Sequence, residues 1–109
     1  KMEYDCVKNT LLEYGDLRID VLKYKVTVAG KKIFLTLTEY KILLYLVSQP
    51  ERVFTYQQIY EAVWEEPYTY EKNNIMTHIS HLKAKMESDP AHPRYIENVR
   101  GVGYRFKKQ

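Results

Sequence analysis

The chain has 109 residues, 45% of them hydrophobic, and a net charge of +3, which suits one domain with its own core and excludes a disordered segment. No apolar run approaches the length of a membrane span, and the polar start does not read as a signal peptide, so a cytoplasmic location is expected. Cys6 is the only cysteine, which excludes an internal disulfide and fits a reducing compartment. The charge is uneven. Residues 1–70 carry nine Lys/Arg against ten Asp/Glu, and residues 71–109 carry eight against four. A polyanionic partner is therefore expected at the C-terminal third.

In chain order, residues 1–10 show no period and read as a tether, so the folded domain is expected over 11–109. Leu11–Tyr14 and Leu17–Val21 flank the turn signal Gly15-Asp16, and Tyr24–Val28 and Ile33–Leu37 flank Ala29–Lys32. Four short alternating strands predict an antiparallel meander with one face covered by a helix. The first helix opens on a capping box, Thr36-x-x-Glu39, and carries Tyr40, Leu43, Leu44 and Val47 as its apolar stripe to about Ser48. Thr55 and Gln58 form a second capping box, and Phe54 and Ile59 stand at staple spacing. The second helix is expected from Tyr56 to about Trp64, where Glu65–Tyr70 interrupts it.

Glu71–Glu87 is the third helix. Ile75, Ile79, Leu82 and Met86 mark its buried stripe, while Asn73, Asn74, Thr77, Ser80, His81 and Lys85 show amides, hydroxyls, imidazole and amine on the other side. Such a face suits either a solvated surface or a DNA groove. Met76, from its angle on the helix, is expected to pack at the core edge. Arg94–Val99 and Tyr104–Lys107 are strand candidates around Arg100–Gly103, where both glycines are expected to supply positive φ.

Helices two and three form a helix-turn-helix-like unit, and the basic hairpin supplies a wing. A helix fits the major groove, and an arginine on a hairpin suits backbone or minor groove. Enzyme chemistry has no support in the pattern. There is no nucleophile–base pair or phosphate-cradling glycine loop, and Glu65-Glu66 reads as a solvated loop pair. His78, His81 and His92 lack a suitably placed thiolate or carboxylate, so neither a metal nor another cofactor is expected.

The chain resembles the C-terminal effector domain of OmpR/PhoB-family response regulators. The resemblance is carried by Leu35-Thr36-x-x-Glu39-Tyr40 with Leu43-Leu44, and by Val53-Phe54-Thr55 with Ile59 and Trp64. It continues through the run from Asn73 to Lys83 and the closing run from Tyr95 to Phe106. It implies an α+β winged helix-turn-helix with a four-stranded antiparallel N-terminal sheet, three helices and a C-terminal hairpin wing. It also implies sequence-specific binding to double-stranded DNA at tandem half-sites, in transcriptional control downstream of a receiver domain. Carried over position by position, Asn74, Thr77 and His81 are candidates for base edges. Trp64, Asn73, His78, Lys83 and Arg100 are candidates for phosphate contact, with Asn98 and Tyr104 supporting the wing. Trp64 reads as core before contact, since a tryptophan usually buries most of its ring. The loop at Pro67, Tyr68 and Tyr70 is a connector or, by resemblance, a contact for RNA polymerase.

The sequence departs from the commoner family pattern. Arginines often stand where Asn73, Ser80, His81 and Lys83 are, an acidic residue where Met76 is, and a threonine where Asn98 is. The third helix is thus less cationic, and a protein-binding winged helix without sequence-specific DNA binding is the alternative reading. Much of the electrostatic grip is expected from Lys83, Arg100 and the basic last strand.

Overall fold

The structure, a computed structural model, describes residues 11–69 and 72–109, without the side chains of Lys72 and Asn73. The expected tether at 1–10, the start of the third helix at Glu71, Tyr70 and the Asn73 side chain lie outside the described residues. The chain divides into two compact units, one ending at Phe34 and the other spanning Leu35–Lys108.

The first unit is an antiparallel meander of β1 (Leu11–Tyr14), β2 (Leu17–Asp20), β3 (Lys25–Val28) and β4 (Lys31–Ile33), in sequence order across the sheet. Tyr14 pairs with Leu17 and Val28 with Lys31, so two of its connections are two-residue turns. The second turn holds Ala29 at φ 52° and Gly30 at φ 80°. Two successive positive φ values match the twist of a tight hairpin. Leu17, Ile19 and Val26 alternate onto the buried side.

Four strand limits in this unit differ from those expected, the first being β4, which opens at Lys31 instead of Ile33. Tyr24 cannot begin β3 because its φ is 51°, and Val21 belongs to the turn, where its carbonyl accepts from the Tyr24 amide at 3.4 Å. The alternation Ile33–Leu37 stops at Ile33. Thr36 is the extended N-cap of α1 (Leu37–Val47), which takes Leu37 into the helix.

The second unit contains α1, β5 (Val53–Thr55), α2 (Tyr56–Trp64), α3 (Lys72–Met86), β6 (Ile96–Val99) and β7 (Gly103–Phe106). Both expected capping boxes form. Thr36 and Glu39 exchange bonds of 3.0 and 3.1 Å, and Thr55 and Gln58 bonds of 2.9 and 3.1 Å. Ile42, Leu43, Leu46, Phe54, Ile59, Ile75, Ile79, Leu82, Ile96 and Phe106 are buried in this unit. Each such side chain contributes about 2 kcal/mol by leaving water.

The wing is broader than a hairpin. β7 lies between β6 and β5, with Phe54 opposite Tyr104 and Thr55 opposite Gly103. The short Val53–Thr55 segment is therefore the third strand of the sheet, where the sequence showed only a helix cap and staple. The result is a winged helix-turn-helix fold. Among the described residues, no helix is long and apolar enough to cross a membrane.

Candidate nucleic-acid interface

Helix α3 buries the stripe expected of it. Ile75, Ile79 and Leu82 are fully buried and Met86 is nearly so. Burying that stripe turns Asn74, Thr77, Ser80 and His81 outward, and all four are exposed. Asn74, Thr77 and His81 stand at i, i+3 and i+7, a line along one helix face. His78 is half-buried, with its ring 5.5 Å from that of Trp64.

Two polar anchors fix where this face points. The first is Glu39, in the opening turn of α1, which is 2% exposed. Its Oε1 accepts from Lys85 Nζ at 2.6 Å and from the Thr36 amide at 3.0 Å. Burial alone would raise the Glu39 carboxyl. The Lys85 hydrogen bond and charge, the Thr36 amide and the nearby His81 outweigh it and hold the carboxyl below its ordinary value. Lys85 is thus spoken for, and its role is to tie the last turn of α3 to α1.

The second anchor is Glu87, 6% exposed, immediately after α3. Its carboxylate accepts from the backbone amides of Arg94 at 2.7 Å, Tyr95 at 3.0 Å and Ile96 at 2.9 Å. One side chain therefore fixes the entry to β6 against the exit of α3, and it delays the ladder to Ile96, two residues later than expected. No local pattern marks this contact, because the amides lie seven to nine residues away.

The wing turn closes through the Val102 amide donating to the Val99 carbonyl at 2.9 Å. Gly101 takes φ 77° at its third position, where a type II turn requires glycine. Arg100 precedes it, exposed at the tip. Gly103 plays a different part from the one expected. Its φ is not positive; instead, a Cβ there would lie 1.8 Å from the Phe54 carbonyl oxygen. Glycine is needed so that β7 can approach β5.

Tyr104 is 4% exposed and meets Tyr56 edge-on at 5.9 Å. Burial first, and the neighbouring Tyr56 second, push its phenol up to about 12. It stays neutral and supports the wing from inside, while Asn98 is exposed on β6. Lys83, Asn98, Ser80, Met76 and Tyr104 line one open groove between α3 and the wing. Thr77, Ser80, His81 and Met76 line the adjoining patch. Met76, expected at the core edge, is 38% exposed and borders both.

The basic last strand is largely self-compensated. Arg105 bonds to Glu97 at 2.6 and 2.7 Å and lies 3.6 Å from Glu51, while Lys107 donates to the Pro93 carbonyl at 3.1 Å. Among the described residues, Lys83 and Arg100 have no acidic partner. The field offered to a polyanion is therefore narrower than the charge count implies.

Trp64 is half-buried, stacked on Tyr60 at 4.9 Å with the rings 9° apart. Glu65, at φ 58°, ends α2, and the chain folds back on it. The Tyr68 amide donates to Glu61 at 3.3 Å, the Tyr60 hydroxyl donates to Glu66 at 3.2 Å, and the Tyr68 ring lies 5.5 Å from Tyr60. Pro67 stands exposed on this loop.

Comparison with known proteins places these features in a family. Residues 30–106 match the model of the transcriptional regulatory protein C-terminal domain. The chain is 43% identical over 100 residues to the uncharacterized transcriptional regulatory protein YrkP of Bacillus subtilis, covering 91% of this chain and 43% of that one. The crystal structure of the Thermotoga maritima response regulator DrrB, an OmpR/PhoB homologue, superposes with a TM-score of 0.83 and 36% identity, over 95% of this chain and 47% of that one. The DNA-binding domain of the response regulator AdeR, solved in complex with an intercistronic region, superposes with a TM-score of 0.75 and 30% identity, over 90% of this chain and all of that one. The chain spans about half the length, or less, of the curated relatives it matches.

Proposed function

The chain belongs to the transcriptional regulatory protein C-terminal family, in its OmpR/PhoB branch, and on that premise we propose that it binds double-stranded DNA sequence-specifically as the output domain of a two-component response regulator. Helix α3 enters the major groove and the β6–β7 turn follows the backbone or the adjoining minor groove. The observation that carries this is the outward line Asn74, Thr77 and His81 beside the unpartnered Lys83 and Arg100, all held on one rigid frame. Asn74, Thr77 and His81 read base edges. Lys83 and Arg100 contact phosphates, as do Asn73, His78 and the edge of Trp64. Asn98 and Tyr104 support the wing.

A receiver domain in the full-length protein is the upstream partner, and the loop with Pro67, Tyr68 and Tyr70 is the surface offered to RNA polymerase. The domain works in the cytoplasm, carries no cofactor and catalyses no reaction. Binding a protein through the same face is the second reading, favoured by the small number of unpartnered cations. Salt dependence separates the two. If Lys83 and Arg100 each neutralise a phosphate, log K falls against log salt with a slope of about −2. A flat response, with no difference among DNA sequences, overturns the DNA reading.

A further inference from the structure

We propose that Met76 is a base-reading residue that selects thymine through its 5-methyl group. The proposal rests on the DNA-binding reading above and adds to it a chemical class of contact that the polar residues of α3 cannot make. The other long apolar side chains of the described part of α3, Ile75, Ile79, Leu82 and Met86, are at most 3% exposed, whereas Met76 is 38% exposed. It stands beside Thr77, Ser80 and His81 on one side and reaches the groove lined by Lys83 and Asn98 on the other. It therefore belongs to the same outward surface as the hydrogen-bonding readers.

A thioether in that position offers no strong donor or acceptor. Its apolar surface is in water in the free protein and gains by being covered. The major groove displays acceptors, amino donors and a single kind of apolar group, the thymine methyl. An amino group of adenine or cytosine placed against Met76 loses its water without gaining a partner, which disfavours those bases. The unbranched, polarizable side chain adapts to the exact height of a methyl group, while Thr77 and Ser80 on either side remain free to hydrogen-bond to neighbouring bases.

The test uses a duplex selected from a random pool by the unmodified chain, with each thymine replaced in turn by uracil, which lacks only the methyl. At one position uracil is expected to weaken binding about fourfold, the value of one buried methyl-sized group. Met76→Ala should bind the thymine and uracil duplexes equally at that position and keep its preferences elsewhere. Met76→Leu, which stays apolar, should retain the thymine preference, separating a lost contact from a lost fold. If a sequence is enriched but no thymine discriminates, or if Met76→Ala discriminates as before, the thymine proposal alone is overturned. If no sequence is enriched, the DNA reading fails and the proposal fails with it.

Discussion

His81 stands on the exposed face of α3, beside Thr77. Its imidazole can donate and accept, so it can distinguish base edges as well as approach a phosphate. His81→Ala is expected to change the preference at one or two base pairs, costing about 1–3 kcal/mol at the preferred site, as read from competition among single-base variants. An unchanged preference would remove His81 from the readers. Arg100 acts differently, because an exposed guanidinium at a turn tip meets backbone before bases. Arg100→Ala should weaken binding to most sequences alike and make the salt slope shallower by about one. Gly103 makes no contact with DNA in this scheme, yet it tolerates no Cβ against the Phe54 carbonyl. Gly103→Ala is expected to cost roughly 3 kcal/mol, measured by denaturant melts, because the intruding atom meets backbone that cannot swing aside.

The elements are oriented by two buried carboxylates, and each makes a distinct forecast. Glu39 has a folded value held below the ordinary 4.5 of its unfolded form. Its contribution is complete above that ordinary value and is lost as pH falls through the depressed folded value. Lys85→Met keeps the stem and removes the charge, leaving Glu39 buried without its cation. The variant should be less stable at neutral pH, and its melting temperature should fall less on acidification than that of the parent chain, because Glu39 without its cation is no longer held low; superimposable profiles would show that the pair does not fix α3. Glu87 serves three amides with two oxygens, and Glu87→Gln leaves one acceptor oxygen and an amide that repels donors. A loss of about 2–3 kcal/mol is expected, with DNA affinity falling even where the variant remains folded, because the wing no longer sits at a fixed angle to α3. Helices were legible because Thr36/Glu39, Thr55/Gln58 and the Ile75 stripe are local signals. The strand Val53–Thr55 was not, because three residues carry no period and its partner lies about fifty positions away. The Lys85–Glu39 tie is invisible for the same reason, being set by contacts 46 residues apart. Met76 escaped because it sits where the apolar stripe ends, a place that periodicity leaves undecided.

At the scale of the molecule, the excess of eight Lys/Arg over four Asp/Glu in residues 71–109 overstates what a polyanion meets, because Lys85 and Arg105 also face Glu39 and Glu51 from outside that stretch. Lys85, Arg105 and Lys107 are engaged in holding the second unit together, which leaves Lys83 and Arg100 as the described cations clear of acid at the interface. Lys83 and Arg100 alone do not bind a duplex firmly by charge, so discrimination among sequences has to come from hydrogen bonds and apolar contacts on α3. The sequence displayed the wing and the recognition face as motifs. It could not display which cations were already paired, because pairing is a property of the folded sheet. Selection of bound duplexes from a random pool tests the central claim most directly. The expected result is a recurrent motif, repeated as tandem half-sites, whose enrichment is lost when Asn74, Thr77 and His81 are all replaced by alanine. A pool whose composition stays random after repeated rounds with the unaltered chain would contradict sequence-specific DNA binding.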